Sequence, residues 1–165
     1  MISRRTTDWR GRFCALLAMT LIALAPAAVA AQDAASGPTE PLSIVTRGGR
    51  HNFAVEVMRT DADRSRGLMY RRAMAPDHGM LFDFAATAPV AMWMKNTYLP
   101  LDMLFIRPDG SIAKIAADTE PLSTKVIPSN EPVLSVLELN AGTAARLKIH
   151  PGDRVEHPVF GSKTR

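Results

Sequence analysis

The sequence predicts a mainly β protein, folded as a single-domain β-sandwich or distorted barrel with one or two short helices. Short apolar segments recur from residue 42 to residue 159, and several alternate apolar with polar side chains, as half-buried strands do. Glycine- or proline-containing turns separate these segments. The pattern amounts to about eight short strands, which favours an all-β architecture.

The first elements are predicted to be a hairpin and a short helix. In residues 52–58, NFAVEVM, the apolar Phe53, Val55 and Val57 share one face. The turn RGGR at residues 47–50 joins this strand to residues 42–46. Thr60 followed by Asp63 has the form of a capping box, so a helix is expected from there to about residue 70, with a loop at 75–79.

The rest of the chain reads as strands with one more helical segment. Residues 80–84 and 90–95 are predicted as two strands, and residues 101–106 and 111–117 as a hairpin around Pro108-Asp109-Gly110. Residues 118–132 carry three prolines and are predicted as a loop. A central strand at 133–139, one or two helical turns at 140–149 capped by Asn140, and a last strand at 154–159 complete the prediction.

Residues 1–30 have the features of a secretory signal peptide. A basic start precedes an apolar run at 13–25, and Ala28-Val29-Ala30 offers a small-x-small cleavage site. The run is shorter than the roughly 20 residues that span a bilayer, so no stable membrane anchor is expected after cleavage. We therefore predict a periplasmic or secreted protein with a flexible leader at 31–41, a β-domain at 42–160 and a tail at 161–165.

Composition excludes several classes of function. Cys14, the single cysteine, lies in the predicted signal, so the mature chain would have no thiolate nucleophile, thiolate metal site or disulfide. Removing four arginines and Asp8 with that segment changes the count from 20 basic and 16 acidic residues to 16 and 15. A nearly neutral chain of this kind is not expected to bind nucleic acid.

Several short motifs, in order along the chain, resemble one known family. The motifs are Arg66-Gly67-Leu68-Met69, Gly79-Met80-Leu81-Phe82, Trp93-Met94-Lys95-Asn96-Thr97, Pro100-Leu101-Asp102, Phe105, Leu137-Glu138-Leu139 with Ala141-Gly142, and Gly152-Asp153. Together they resemble the family catalogued as domain of unknown function 192, over about residues 42–156. The resemblance implies a single, mostly β domain, often exported, and no established activity. Met92 stands where many members have an aromatic residue.

The segment MWMKNTYLPLD at residues 92–102 is the best candidate for a binding site. Strand alternation places Met92 and Met94 on one face and Trp93 and Lys95 on the other. In one interpretation the methionines fill the core, Trp93 covers its rim and Asn96-Thr97 make turn hydrogen bonds. In the other, the indole and its polar neighbours line a groove that binds a small molecule or a cell-envelope component. The predicted ligand-binding residues are Arg66, Trp93, Lys95, Asn96 and Asp102.

Two acidic residues suggest alternatives. Asp102 begins an apolar strand, so its carboxylate is expected either to cap the turn at 96–100, to pair with Arg66, or to face a ligand. Glu138 lies between Leu137 and Leu139, and together with Asp102 it could form the carboxylate pair of a hydrolase.

A third alternative is Cu(I) binding by the methionines of the mature chain, including Met69, Met74 and Met80. Paired histidines at ligand spacing are missing from the sequence, so no metal site is predicted. No cofactor is expected and no catalytic residue is assigned. Oligomeric state is left open.

Overall fold

A computed structural model describes residues 37–161 of the chain. Its strands are β1 (Thr39–Thr46), β2 (Gly49–Met58), β3 (His78–Met92), β4 (Leu101–Ile106), β5 (Ile112–Thr119), β6 (Ile127–Asn140) and β7 (Arg154–Glu156). Its helices are α1 (Asp61–Arg66), α2 (Thr143–Leu147) and α3 (Pro158–Gly161). The prediction of a mainly β, single-domain protein is confirmed. Within this range there are seven strands rather than about eight, and three short helices.

All seven strands belong to one curled sheet that forms a half-barrel. Their order is β5-β4-β6-β3-β2-β1-β7, and only the β2–β3 pair is parallel. The two ends of the sheet meet at one point, where Ser111 bridges Arg154 and the N–H of Val155 donates to the carbonyl of Gly110 at 2.8 Å. Of the two architectures predicted, the distorted barrel is therefore the closer description.

The central strands are covered on both faces. Leu81, Leu104 and Leu137 pack on one face with residues of β1, β2 and α2. Phe82 and Val136 pack on the other with Leu68, which follows α1. Because both faces are covered, all six residues of β4 are buried. The second face carries the candidate site.

Both predicted hairpins are confirmed. Thr46 pairs with Gly49 and Leu42 with Phe53, so the β1–β2 register places the apolar side chains of the alternating strand in the core. Strands β4 and β5 pair antiparallel around the predicted proline–Asp-Gly turn, where Gly110 has φ +85°. The glycine is required there because a Cβ would lie 2.5 Å from the carbonyl oxygen of Val155.

Strand boundaries were predicted wrongly in two segments that contain prolines. Residues 80–84 and 90–95 are not separate strands, because β3 runs without interruption from His78 to Met92. The predicted loop at 118–132 contains the first six residues of β6. Pro89 and Pro132 lie opposite each other next to register shifts, where a strand tolerates a residue without an N–H.

The start of the first helix and the helical segment predicted at 140–149, which is α2, are confirmed, whereas the end of the first helix and the cap of the second are wrong. Thr60 caps α1, its Oγ1 accepting from the N–H of Asp63 at 3.1 Å, but the helix ends at Arg66 rather than near residue 70. Asn140 does not cap α2, because its amide donates to the carbonyl of Met74 at 3.1 Å and Gly142 holds the cap position. The last predicted strand ends at Glu156, where Pro158 begins α3.

A partly buried ion pair fastens the segment after α1 to the sheet. Both guanidinium NH groups of Arg71 donate to the carboxylate of Glu56, one of them at 2.7 Å. This hydrogen bonding, against the opposing effect of burial, keeps the pKa of Glu56 below its ordinary value. The pair holds residues 67–74 over the second face of the sheet.

The predicted signal peptide at 1–30, the first part of the leader and the last four residues of the tail lie outside the described residues. Strand β1 begins at Thr39, so the final three residues assigned to the leader belong to the sheet. None of the helices at 37–161 has the length and apolar character needed to cross a membrane.

Candidate functional site

A cleft of about 360 Å³ opens on the second face of the sheet, beside Trp93. Helix α1 and the residues after it form one wall, the end of β3 with Trp93, Lys95 and Thr97 forms the other, and Glu138 of β6 lies at the floor. The lining residues are Asp61, Arg64, Ser65, Arg66, Gly67, Leu68, Met69, Phe82, Phe84, Ala91, Met92, Trp93, Lys95, Thr97 and Glu138. The volume lies within the range of about 300 to 1,000 Å³ typical of ligand sites.

Trp93 and Lys95 both line the cleft and point away from the core. The indole is 49% exposed, whereas Met94 between them is 1% exposed. The Nζ of Lys95 lies 5.2 Å from the centroid of the Trp93 ring, a cation–π contact. The predicted alternation of faces is confirmed for these three residues.

Met94 is fixed in the core by packing and by a polar contact. Its Sδ accepts from the hydroxyl of Thr119 at 3.1 Å. Because the Met94 side chain is fixed in the core, the side chains of Trp93 and Lys95 on either side of it point to the cleft.

Two arginines of α1 line the cleft, one of them in an ion pair and the other not. Arg64 donates to the carboxylate of Asp61 and to the backbone carbonyl of Asp83 at 2.7 Å, and its guanidinium lies 5.7 Å from the ring centroid of Phe84. Arg66 is exposed and has no ion pair with any residue at 37–161. Arg66 and Lys95 therefore supply the cleft with positive charge that no described acid neutralises.

Asn96 lies next to the cleft without lining it. Its backbone is left-handed, with φ +57°, and its carbonyl accepts from the N–H of Tyr70 at 2.8 Å. Its side-chain amide lies 3.8 Å from the Sδ of Met69, a weak contact. Asn96 joins the two walls, so its part in binding can only be to position them.

Asp102 was wrongly grouped with these residues. It is completely buried, and its carboxylate oxygens accept from the N–H of Asp118 at 2.9 Å and the N–H of Ala144 at 2.8 Å. The expected pair with Arg66 does not form. The carboxylate stabilises the start of α2 and the bend at the end of β5, on the face of the sheet opposite the cleft.

Register excludes the proposed hydrolase pair. Asp102 lies opposite Leu139, and the next residue, Met103, lies opposite Glu138. Neighbouring residues of a strand point to opposite faces, so the two carboxyl groups lie on opposite sides of the sheet. They cannot act on one substrate.

The sequence placed Glu138 in a hydrolase pair with Asp102, whereas the structure places it in the cleft without Asp102. It is 4% exposed, lies at the cleft floor, and makes no side-chain hydrogen bond with the part of the chain that the structure describes. Burial raises the pKa of its carboxyl to about 8, so the group is mostly neutral at pH 7. The sequence signal was present, since an acid between two leucines in a central strand has to face something other than solvent.

The methionines lie where a core-filling role would place them. Met80, Met94 and Met103 are at most 1% exposed, and Met58, Met74 and Met92 pack around them. No group of three or more His, Cys, Asp or Glu side chains within residues 37–161 is arranged to hold a metal ion. These methionines form part of the hydrophobic core beneath the cleft.

Comparison with known proteins identifies a family and two similar folds. The model of domain of unknown function 192, described as "Uncharacterized ACR", matches residues 43–157. A crystal structure from Sinorhizobium meliloti 1021, described as a candidate transcription regulator, is 54% identical, with a TM-score of 0.73, over 76% of this chain and 98% of that one. A protein of unknown function from Novosphingobium aromaticivorans DSM 12444 is 39% identical, with a TM-score of 0.72, over 78% of this chain and 94% of that one. The comparison with curated proteins gave no significant match.

Proposed function

Since this chain belongs to the family called domain of unknown function 192, whose activity is uncharacterised, we propose its function from the cleft: it is an exported protein that binds a small molecule or cell-envelope component beside Trp93. The observation that carries the proposal is a large indole, 49% exposed, on the wall of a cleft of about 360 Å³. Exposing such a ring to water is unfavourable, and a ligand stacked on it would remove that surface from solvent.

The surroundings of the indole support binding rather than packing alone. Phe82 and Phe84 add apolar surface to the cleft, while Arg66 and Lys95 add positive charge. A mostly apolar cavity with a few placed polar groups is the usual form of a small-molecule site. Export is proposed on separate grounds, namely the basic, apolar and small-residue pattern of residues 1–30.

The regulator description of the Sinorhizobium protein is not extended to this chain. The longest helix in residues 37–161 has six residues. Helix-based DNA readers place a longer recognition helix in the major groove. The near balance of basic and acidic residues outside residues 1–30 also argues against a nucleic-acid surface.

The test is a thermal-shift screen of metabolites and envelope fragments, followed by calorimetry on any compound that raises the melting temperature. Trp93→Ala should weaken binding by about tenfold to a hundredfold, as truncating a central aromatic anchor does. Its melting temperature without ligand should change little, because the ring is half exposed. Tyr98→Ala is the matched control, since Tyr98 is 40% exposed and does not line the cleft. Equal affinities for the two variants would contradict the proposal.

A further inference from the structure

The floor of the cleft holds a polar group that the fold leaves without a partner. Glu138 is 4% exposed, and no described side chain or backbone group hydrogen-bonds to its carboxyl. Its neighbours across the sheet are Met80 of β3 and Met103 of β4, neither of which offers a strong donor. The carboxyl faces the cleft, so its hydrogen-bonding capacity is directed toward whatever the cleft contains.

The charged groups that line the cleft all lie on its walls, above this carboxyl, and the Glu56–Arg71 ion pair lies on the same face of the sheet beyond Met80. Strands β3 and β4 contribute no titratable side chain to the cleft. Helix α1 contributes Asp61, Arg64 and Arg66, and the segment after β3 contributes Lys95. Burial is accordingly the cause of the raised pKa of Glu138, with no neighbouring charge involved. A neutral carboxyl donates one hydrogen bond through its O–H.

The rim of the cleft, where Arg66 and Lys95 lie, favours a negatively charged ligand. Arg64 is paired with Asp61, which leaves Arg66 and Lys95 as the cleft's uncompensated charges among the described residues. Two such cations attract an anionic group and repel an amine that could otherwise pair with an ionised Glu138. The apolar walls between rim and floor, formed by Phe82, Phe84 and Trp93, fit a flat or hydrocarbon body.

We propose that the cleft takes a small organic anion with a flat apolar body, oriented with an uncharged hydrogen-bond acceptor on the Glu138 carboxyl and its anionic group between Arg66 and Lys95. This inference rests on the proposed function and specifies its ligand class. Because the inner contact requires the carboxyl proton, affinity for such a ligand falls as pH rises through the titration of Glu138.

Two aryl acids of nearly equal size test the inner contact. 4-Acetylbenzoate carries a carbonyl acceptor opposite its carboxylate, and 4-isopropylbenzoate carries a hydrocarbon of similar shape in its place. Calorimetry on the full chain at about pH 6 should show about tenfold tighter binding of the acetyl compound, the value of one good hydrogen bond. At about pH 9.5 the preference should disappear, because an ionised carboxylate cannot donate.

Two variants separate the proton from the shape of the side chain. Glu138→Gln keeps a donor at every pH, so the preference should persist at both pH values. Glu138→Leu has no donor, so the preference should be lost at both.

Two results would overturn the inference. If the wild-type preference survives at high pH and in Glu138→Leu, Glu138 is not the anchor, while binding beside Trp93 stands. If neither aryl acid binds at millimolar concentration, the ligand class is wrong. The proposed function is then judged by the wider screen and by Trp93→Ala, so the two failures are distinguishable.

Discussion

Replacing Glu138 by glutamine should remove a specific pH dependence from the free energy of unfolding. The carboxyl has its pKa raised by burial from 4.5 to about 8 in the folded chain. The folded state therefore keeps this proton to a higher pH than the unfolded state does. The resulting contribution to stability is fully present below about pH 4.5 and is lost as pH rises through about 8.

The size of the effect follows from linkage. Each unit of pKa difference corresponds to about 1.4 kcal/mol. At pH 7 Glu138 is ionised in the unfolded chain and mostly neutral in the folded one, so the free energy of unfolding is about 3 kcal/mol lower than in acid. Between about pH 5 and pH 9 the loss amounts to about 4 kcal/mol. Glutamine has nearly the same shape and does not titrate, so any constant difference in packing cancels when one pH is compared with another.

The assay is urea denaturation of wild type and Glu138→Gln at about pH 5, 7 and 9, with the stability difference between the two proteins plotted against pH. Wild type should lose about 4 kcal/mol relative to the variant across this range. Glu120→Gln is the control, because the side chain of Glu120 is 73% exposed in the folded chain. A wild-type-minus-Glu138→Gln difference that does not change with pH would refute the reasoning.

Three further predictions concern the frame around the cleft. Asp102→Ala should lower the free energy of unfolding by about 2 to 5 kcal/mol in urea denaturation, because it leaves two backbone N–H groups without their acceptor; an unchanged midpoint would contradict this. Gly67→Ala should lower the free energy of unfolding by about 1 to 3 kcal/mol, because Gly67 has φ +46° and a Cβ there would lie 3.0 Å from the ring of Phe82. Gly142→Ala is the control: its Cβ would meet no atom within 4 Å, so it should lower the free energy of unfolding by about 1 kcal/mol. Equal losses in the two variants would show that the contact with Phe82 is relieved. The hydrogen bonds with Arg71 lower the pKa of Glu56, so the ionised Glu56 side chain stabilises the fold above about pH 4.5 and this stabilisation is lost as pH falls below that value. Glu56→Gln should therefore lose less stability in acid than wild type does. Identical acid unfolding curves for the two proteins would exclude the mechanism.

The sequence predicted those parts of the fold that depend on local chemistry. The turns at residues 47–50 and 107–110 need glycine at the positions where the structure has it, and Thr60 with Asp63 signals a helix start. Strand boundaries failed at the prolines, because whether a proline ends a strand depends on its partner. Pro89 and Pro132 are accommodated by facing each other beside register shifts, a relation between residues 43 positions apart that no local pattern contains.

The candidate site was predicted in part for the same reason. Trp93 and Lys95 follow from alternation around Met94, which is local. The contribution of Arg66 depends on α1 lying over the second face, and the exclusion of Asp102 depends on the register of β4 against β6. A one-residue change of that register would have placed Asp102 on the same face as Glu138, in the cleft.

The two buried acids show what distinguishes a structural carboxyl from a candidate functional one. Both are removed from water in the centre of the sheet, and both lose hydration energy there. The Asp102 side chain accepts hydrogen bonds from two backbone N–H groups, so it serves the fold. Glu138 has no such donor among the described residues and costs about 3 kcal/mol at pH 7, more than most single substitutions change. A leucine or methionine at position 138 would avoid this cost without disturbing the sheet. An acid there benefits the protein only when something in the cleft uses its proton.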